Sequence, residues 1–276
     1  MRNLNHFGLT TSVNKAIIEV YKAGNLTSTT LMVNMAGSDE AIELSRKNPG
    51  LAIGLHFCIT EGQPLTDCLS LLDEAGNFMS RGALIKRCLK NQVRDKDLQK
   101  EFLAQYDKAI SAGIDLTHID SHQHILQIPS VFQSLNPIFQ RKGLKLRCVS
   151  PSKVEFSLAP SKWKRALKMY INARSSKKMK ADSTCQMNDV IVSIHDKNPE
   201  TGFSKDTYIE LVEECRSEDV IELMVHPYIL GKDLLEIYSP GLETKMPFLK
   251  KCDGEYKVLS GEPIFTDYEL ISFRDL

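Results

Sequence analysis

Leu51-Ala52-Ile53-Gly54-Leu55-His56-Phe57 is a near-continuous apolar run of strand length with a histidine near its far end. Runs of this kind, as opposed to alternating ones, belong to strands buried on both faces, as in parallel sheets. A helical stretch at 39–47 precedes it, with Ser38 as candidate N-cap and Asn48-Pro49-Gly50 as the stop signal. Further upstream, residues 28–33 (STTLMV) read as a strand and residues 3–7 as a short one. Between those two, Val13, Ala16, Ile17, Val20 and Tyr21 recur at three- and four-residue spacing up to Gly24, which predicts a helix. Downstream, a helix over 96–112 closes at Gly113, residues 117–121 (THIDS) form the next strand, and a helix over 130–141 leads through Gly143 into 144–149 (LKLRCV). A helix near 205–216 and a strand at 220–225 (VIELMV) follow. Strand and helix alternate, so the expected class is α/β with a parallel sheet.

Two stretches interrupt the alternation. Residues 60–92, with Pro64 and Gly76, read as an irregular excursion over one end of the sheet, and residues 150–205 as a second one. In the second, Lys162, Lys164, Arg165, Lys168, Arg174, Lys177, Lys178 and Lys180 crowd together. A solvated amphipathic helix with Trp163, Leu167 and Tyr170 on its inner face accounts for them better than a polyanion site does. The whole chain, 1–276, is read as one domain, a length that α/β barrels reach as single units.

Hydrophobic residues make up 42% of the chain, enough for a large core, and Lys+Arg balance Asp+Glu at 35 each, which gives no electrostatic case for nucleic acid or an anionic membrane. The start, Met1-Arg2-Asn3-Leu4-Asn5-His6, lacks a signal pattern, and no apolar run approaches the roughly 18 residues that span a bilayer. The expected location is therefore cytoplasmic. Seven scattered cysteines with no C-x-x-C pair read as reduced, mostly buried thiols.

His6, His56, His122 and His226 each fall at or just beyond the C-terminal end of an expected strand. In a (β/α) barrel, site residues come from that rim and from several strands. One such histidine alone is more often a satisfied core or surface residue, but four shift the reading towards a shared divalent-metal site with a proton donor. The segment Thr117-His118-Ile119-Asp120-Ser121-His122-Gln123-His124 is the densest cluster. If the strand runs that far, His118, Asp120, His122 and His124 share a face, and a carboxylate beside a ligating imidazole serves to orient it. The alternative for this segment is a polar strand-to-loop junction whose residues hydrogen-bond one another.

These stretches, together with Thr27-Ser28-Thr29-Thr30-Leu31-Met32-Val33-Asn34, Thr60-Glu61-Gly62-Gln63-Pro64-Leu65, Met224-Val225-His226-Pro227 and the closing Ser272-Phe273-Arg274-Asp275, resemble the YdjC-like (ChbG/HpnK-type) carbohydrate deacetylases over nearly the whole chain except about 150–205. The resemblance implies a distorted, TIM-like (β/α) barrel related to polysaccharide deacetylases, with a divalent cation, Mg²⁺ or Zn²⁺. It also implies hydrolysis of the N-acetyl group of an amino sugar such as an acetylated chitooligosaccharide, and a homodimer would suit the family. Carried over residue by residue, it implies metal ligation by His56 and His122, a general-acid role for His226, an orienting role for Asp120 and a cleft-lining one for His124.

The chain departs from the family at its start. Where the pattern is Asn-Ala-Asp-Asp-Phe-Gly, with a general base and then a metal ligand, this chain reads Asn3-Leu4-Asn5-His6-Phe7-Gly8. His6 can still offer a ring nitrogen, giving a three-histidine site, but the Asn5 amide cannot take up a proton near neutrality. A slow or inactive enzyme is expected unless another group substitutes, and Asp120 is one candidate. Two further readings stay open: a noncatalytic sugar-binding or interaction module, and a different metal hydrolase acting on a phosphate or amide. The short first strand also fits a start placed a few residues late.

Overall fold

Every strand of the central sheet runs parallel to its neighbours: β1 (Arg2–Phe7), β2 (Ser28–Leu31), β3 (Ala52–Phe57), β4 (Leu116–Ser121), β5 (Val190–Val192) and β6 (Ile221–Val225), in the order β4-β3-β2-β1-β6-β5. The structure, a computed structural model, describes residues 1–151, 163–195, 203–215, 220–239 and 241–276. The curled sheet makes the distorted barrel expected from the sequence, and its two edges are joined by residues 144–151. There the Arg147 amide donates to Ile119 O of β4 at 2.9 Å, and the Ile191 amide of β5 donates to Ser150 O at 2.9 Å. Residues 144–149 were expected as a strand; they form isolated parallel bridges instead, because the Asn188 side chain takes both backbone groups of Cys148.

Burial explains the missing alternation. β1, β2 and β3 are buried at every position, yet their two faces differ in chemistry. Leu4, Leu31, Leu55, Phe57 and Ile119 belong to the apolar core, where Phe57, Phe102 and Phe139 pack edge to face at centroid distances of 5.4 and 5.1 Å. The intervening residues, Asn3, Asn5, Thr30, His56, His118 and Asp120, contact one another across the sheet's inner side. The register that pairs His56 with Asp120 makes this layer.

The helices are α1 (Thr11–Lys22), α2 (Ser38–Lys47), α3 (Arg81–Leu89), α4 (Asp95–Ser111), α5 (Pro129–Arg141), α6 (Trp163–Asp182), α7 (Lys205–Glu213), α8 (Lys232–Ile237) and α9 (Leu242–Leu259). Four expectations are corrected. Ser38 is the first residue of α2 and Gly37 holds the cap position. Residues 60–92 are not wholly irregular: the Ser80 hydroxyl accepts from the Ala83 amide and starts α3. The second excursion contains the strand β5 in addition to the expected helix, α6. In α6 the buried side chains are Met169, Ser176 and Met179, whereas Leu167 and Tyr170 are about half exposed, so the inner face is rotated from the expected one; the side chain of Trp163 lies outside the described residues. The remainder of 150–205 outside α6 and β5 is described only in part.

His118 occupies the inner layer at the level of Asn3, one pleat below the His56–Asp120 level. Its ring stacks on Phe273 at 3.8 Å, and a Cβ on Gly54 would overlap it. Among the described residues no helix is long and apolar enough to cross a membrane. All seven cysteines are free of disulfides and five are buried.

Candidate active site

Three histidines meet at the carboxyl rim of the sheet. His6, next to last in β1, has a left-handed backbone, φ +76°, a conformation that a residue with a Cβ rarely adopts and that clusters at functional sites. His56 comes from β3. His122 follows β4, where the chain leaves the strand and Gln123 and His124 take positive φ of 51° and 55°. The strand therefore stops before His122, and the face expected to run from His118 to His124 is broken: His118 packs in the layer below, while His124 lines the cavity above.

The three rings are each held from behind. His56 Nδ1 is 2.7 Å from Asp120 Oδ1, His122 Nε2 is 2.8 Å from Glu61 Oε2, and His6 Nδ1 meets the Tyr228 hydroxyl. A carboxylate on one ring nitrogen takes that nitrogen's proton and leaves the other with its lone pair, and the Tyr228 hydroxyl does the same for His6 when it accepts from Nδ1. Those nitrogens face one another: His6 Nε2 lies 3.0 Å and His56 Nε2 3.3 Å from His122 Nδ1. Acceptor atoms this close repel unless a cation stands between them. Two nitrogens bound at 2.0–2.1 Å to one tetrahedral ion are themselves ~3.3–3.4 Å apart, so the spacing fits a shared divalent metal. His6, His56 and His122 are all buried. Burial and the neighbouring imidazoles hold His6 well below its ordinary range; burial also lowers His56 against the pull of Asp120. Both rings are thus neutral, which is the ligating form.

Behind this group lies a buried charge network. Burial alone would raise the Asp120 carboxyl, but Arg147 and His56 hold it well below the usual carboxylate range. Arg147 also pairs with Glu222 and donates to Asn5 Oδ1 at 2.7 Å. Asp120 additionally accepts from Thr30 Oγ1 at 3.2 Å, which ties down the carboxylate considered as a substitute base.

On the other side, Asn5 Nδ2 is 3.4 Å from His226 Nε2. Burial first, then His195 and Arg147, keep His226 well below its ordinary range. His195, His226 and Glu255 also bring ligand atoms within 4.8 Å of one another, but His195 Nε2 and Glu255 Oε2 already bond to each other at 2.8 Å. All of this opens into a cavity of about 360 Å³ whose lining includes Asn5, His6, Glu61, His226, Tyr238 and Phe248. Sequence reasoning missed the contributions of Glu61, Arg147, Tyr228, His195 and Glu255. Tyr228 had a signal, since it follows His226 by two residues.

A parallel α/β barrel with a histidine-built group at its carboxyl rim is the class of fold in which enzymes place their chemistry at strand ends. The chain belongs to the YdjC-like protein family, whose profile matches residues 6–267. A carbohydrate deacetylase of Clostridium beijerinckii is 27% identical over 99% of this chain and 98% of its own length. A carbohydrate deacetylase of Geobacillus stearothermophilus is 37% identical over 53% of this chain and 58% of its own, and a chitooligosaccharide deacetylase of Yersinia enterocolitica 36% identical over 52% and 57%. Some of these matches thus span little more than half of the relative. A crystal structure from Enterococcus faecalis V583, described as a proposed cellobiose-phosphate cleavage protein, shares the fold, with TM-score 0.70 and 22% identity over 96% of this chain and 91% of that one.

Proposed function

We propose that this chain is a metal-dependent hydrolase that removes the acetyl group from N-acetylated amino sugars. The observation that carries the reading is the orientation of the three imidazoles: each has its far nitrogen engaged by Tyr228, Asp120 or Glu61 and its near nitrogen turned to a common point. The names of the full-length and partial relatives support the acetylated-sugar substrate. An all-nitrogen donor set suits Zn²⁺ better than Mg²⁺, which prefers oxygen ligands.

His6, His56 and His122 would hold the ion, and a divalent ion there supplies polarisation of the acetyl carbonyl and a more acidic water. Asp120, clamped by Arg147, orients His56 and does not act as a base. Phe248 and Tyr238 offer apolar surface to a sugar ring, and His226 stands on the cavity wall where it can donate a hydrogen bond to the substrate. One observation favours the reading of a sugar-binding module without catalysis: the amide of Asn5 occupies the position where the family carries a base, and it is locked to Arg147.

A screen of acetate release from acetylated amino sugars, with Mg²⁺, Zn²⁺, Co²⁺ and Ni²⁺ added in turn, tests the proposal. Release that depends on the added ion and disappears in His56→Ala and His122→Ala supports it. Tight sugar binding with no acetate released under any ion supports the binding module.

A further inference from the structure

Two neighbouring rings on the cavity wall are held in opposite protonation patterns. Arg147 can only donate, so the Asn5 atom 2.7 Å from its NH1 is the amide oxygen. The Asn5 NH₂ therefore faces His226, 3.4 Å from Nε2, and that ring nitrogen must accept. The His226 proton then sits on Nδ1, a buried atom with no hydrogen-bond partner among the described residues. An aspartate at position 5 would do the reverse, accepting from Nε2. The Asn in this chain thus sets His226 as a donor on its free side.

His195 is set the other way. Glu255, wholly buried, takes the His226 backbone N–H on Oε2 at 2.8 Å and the Tyr208 hydroxyl on Oε1 at 3.0 Å, and both are donors. The third contact, His195 Nε2 to Oε2 at 2.8 Å, is then also a donation to the carboxylate. This puts the His195 proton on Nε2 and leaves a lone pair on Nδ1. The arrangement is that of a histidine base oriented by a buried carboxylate. His195 lines the same cavity as His226, with ring centroids 5.3 Å apart, and Phe248 packs against both. His226 is a neighbour of both His195 and His6, with ring centroids 5.3 Å from the first and 5.4 Å from the second.

We propose that His195 is the proton acceptor of the site, taking the part that Asn5 cannot, with Glu255 as its positioning residue and His226 as the paired donor. The inference rests on the deacetylase reading given above. In the attack, the water O–H bond breaks, its oxygen bonds to the acetyl carbon as the carbonyl π pair moves onto the acetyl oxygen, and the proton goes to His195 Nδ1. When the C–N bond breaks, the carbonyl re-forms, the amine nitrogen keeps the bonding pair and takes the proton that His195 Nδ1 holds, while the neutral His226 keeps its Nδ1 proton and only donates a hydrogen bond to the substrate. Acetic acid loses its proton to solvent, and both rings end in the tautomers in which they began.

Long-range ¹H–¹⁵N spectra of histidine-labelled full-length protein test the tautomers without reference to activity. Protonated Nε2 on His195 and protonated Nδ1 on His226 are expected, with Glu255→Gln weakening the first assignment and leaving the second. The same tautomer on both rings overturns the proposal. Kinetics test the role: His195→Gln should lower kcat for acetate release by about 100-fold or more while zinc stoichiometry is kept, since general-base help is worth about 10²–10⁴-fold. Unchanged kcat in that variant overturns it. If the unmodified protein releases no acetate, the deacetylase reading fails, and the spectra still decide for or against the donor–acceptor pair.

Discussion

Arg147 donates to Asn5 across 2.7 Å in the same buried space where it pairs with Asp120 and Glu222. One guanidinium thus serves two carboxylates and an amide, and it links the floor of the site to both the His56 and the His226 sides. Asn5→Asp would place a new negative charge beside His226. A neighbouring anion favours the protonated ring, so the His226 pKa, held low in this chain by burial, should rise. An NMR pH titration reads the change; an unmoved His226 contradicts the contact.

Arg147→Ala leaves Asp120 and Glu222, both wholly buried, without their cation. Removing one partner of a buried ion pair costs about 3–5 kcal/mol. A urea unfolding midpoint that falls correspondingly is the expected result, and Arg147→Ala combined with Glu222→Gln should recover part of the loss.

Asp120→Asn tests the support of His56. The amide can still accept from Nδ1, but it no longer raises the basicity of the ring. Zinc affinity, measured by competition with a chromophoric chelator, should weaken about 10–100-fold. An unchanged affinity would mean that His56 does not ligate.

Burial pushes His118 down to about 3. In the unfolded chain a histidine titrates near about 6.5, so between those values the unfolded state binds the extra proton. The stability from a neutral His118 is fully present above about pH 6.5 and is lost as pH falls towards 3. His118→Phe should make stability less steeply dependent on pH in that window, as read from urea midpoints at several pH values. An equal slope in the variant contradicts the assignment.

The barrel was legible because residues 51–57 and 220–225 are apolar runs bounded by helical periodicity. His56 and His122 were legible because a strand-end position and a motif coincide there. Other parts were not. β5 has three residues, too few for any period, so His195 three positions beyond it carried no signal. Helix α9 contains Pro247 and Gly254, which read as breakers. Arg147 stands in a segment that looks like a strand, and nothing local says that its guanidinium crosses the interior to Asn5. Glu61 carries no signal beyond its motif, since its partner His122 is 61 positions away in sequence. The Ser38 cap and the inner face of α6 were misread because neighbouring residues satisfy the same periodicity one step away.

One divalent ion at His6, His56 and His122 is proposed to serve N-acetyl hydrolysis. The most direct measurement is acetate release from acetylated chitobiose by chelator-stripped protein titrated with zinc. Release should be absent without metal, rise to a plateau at one equivalent, and fail to return in His122→Ala. Release that survives chelation, or that His122→Ala leaves intact, would rule out an ion held by these three histidines.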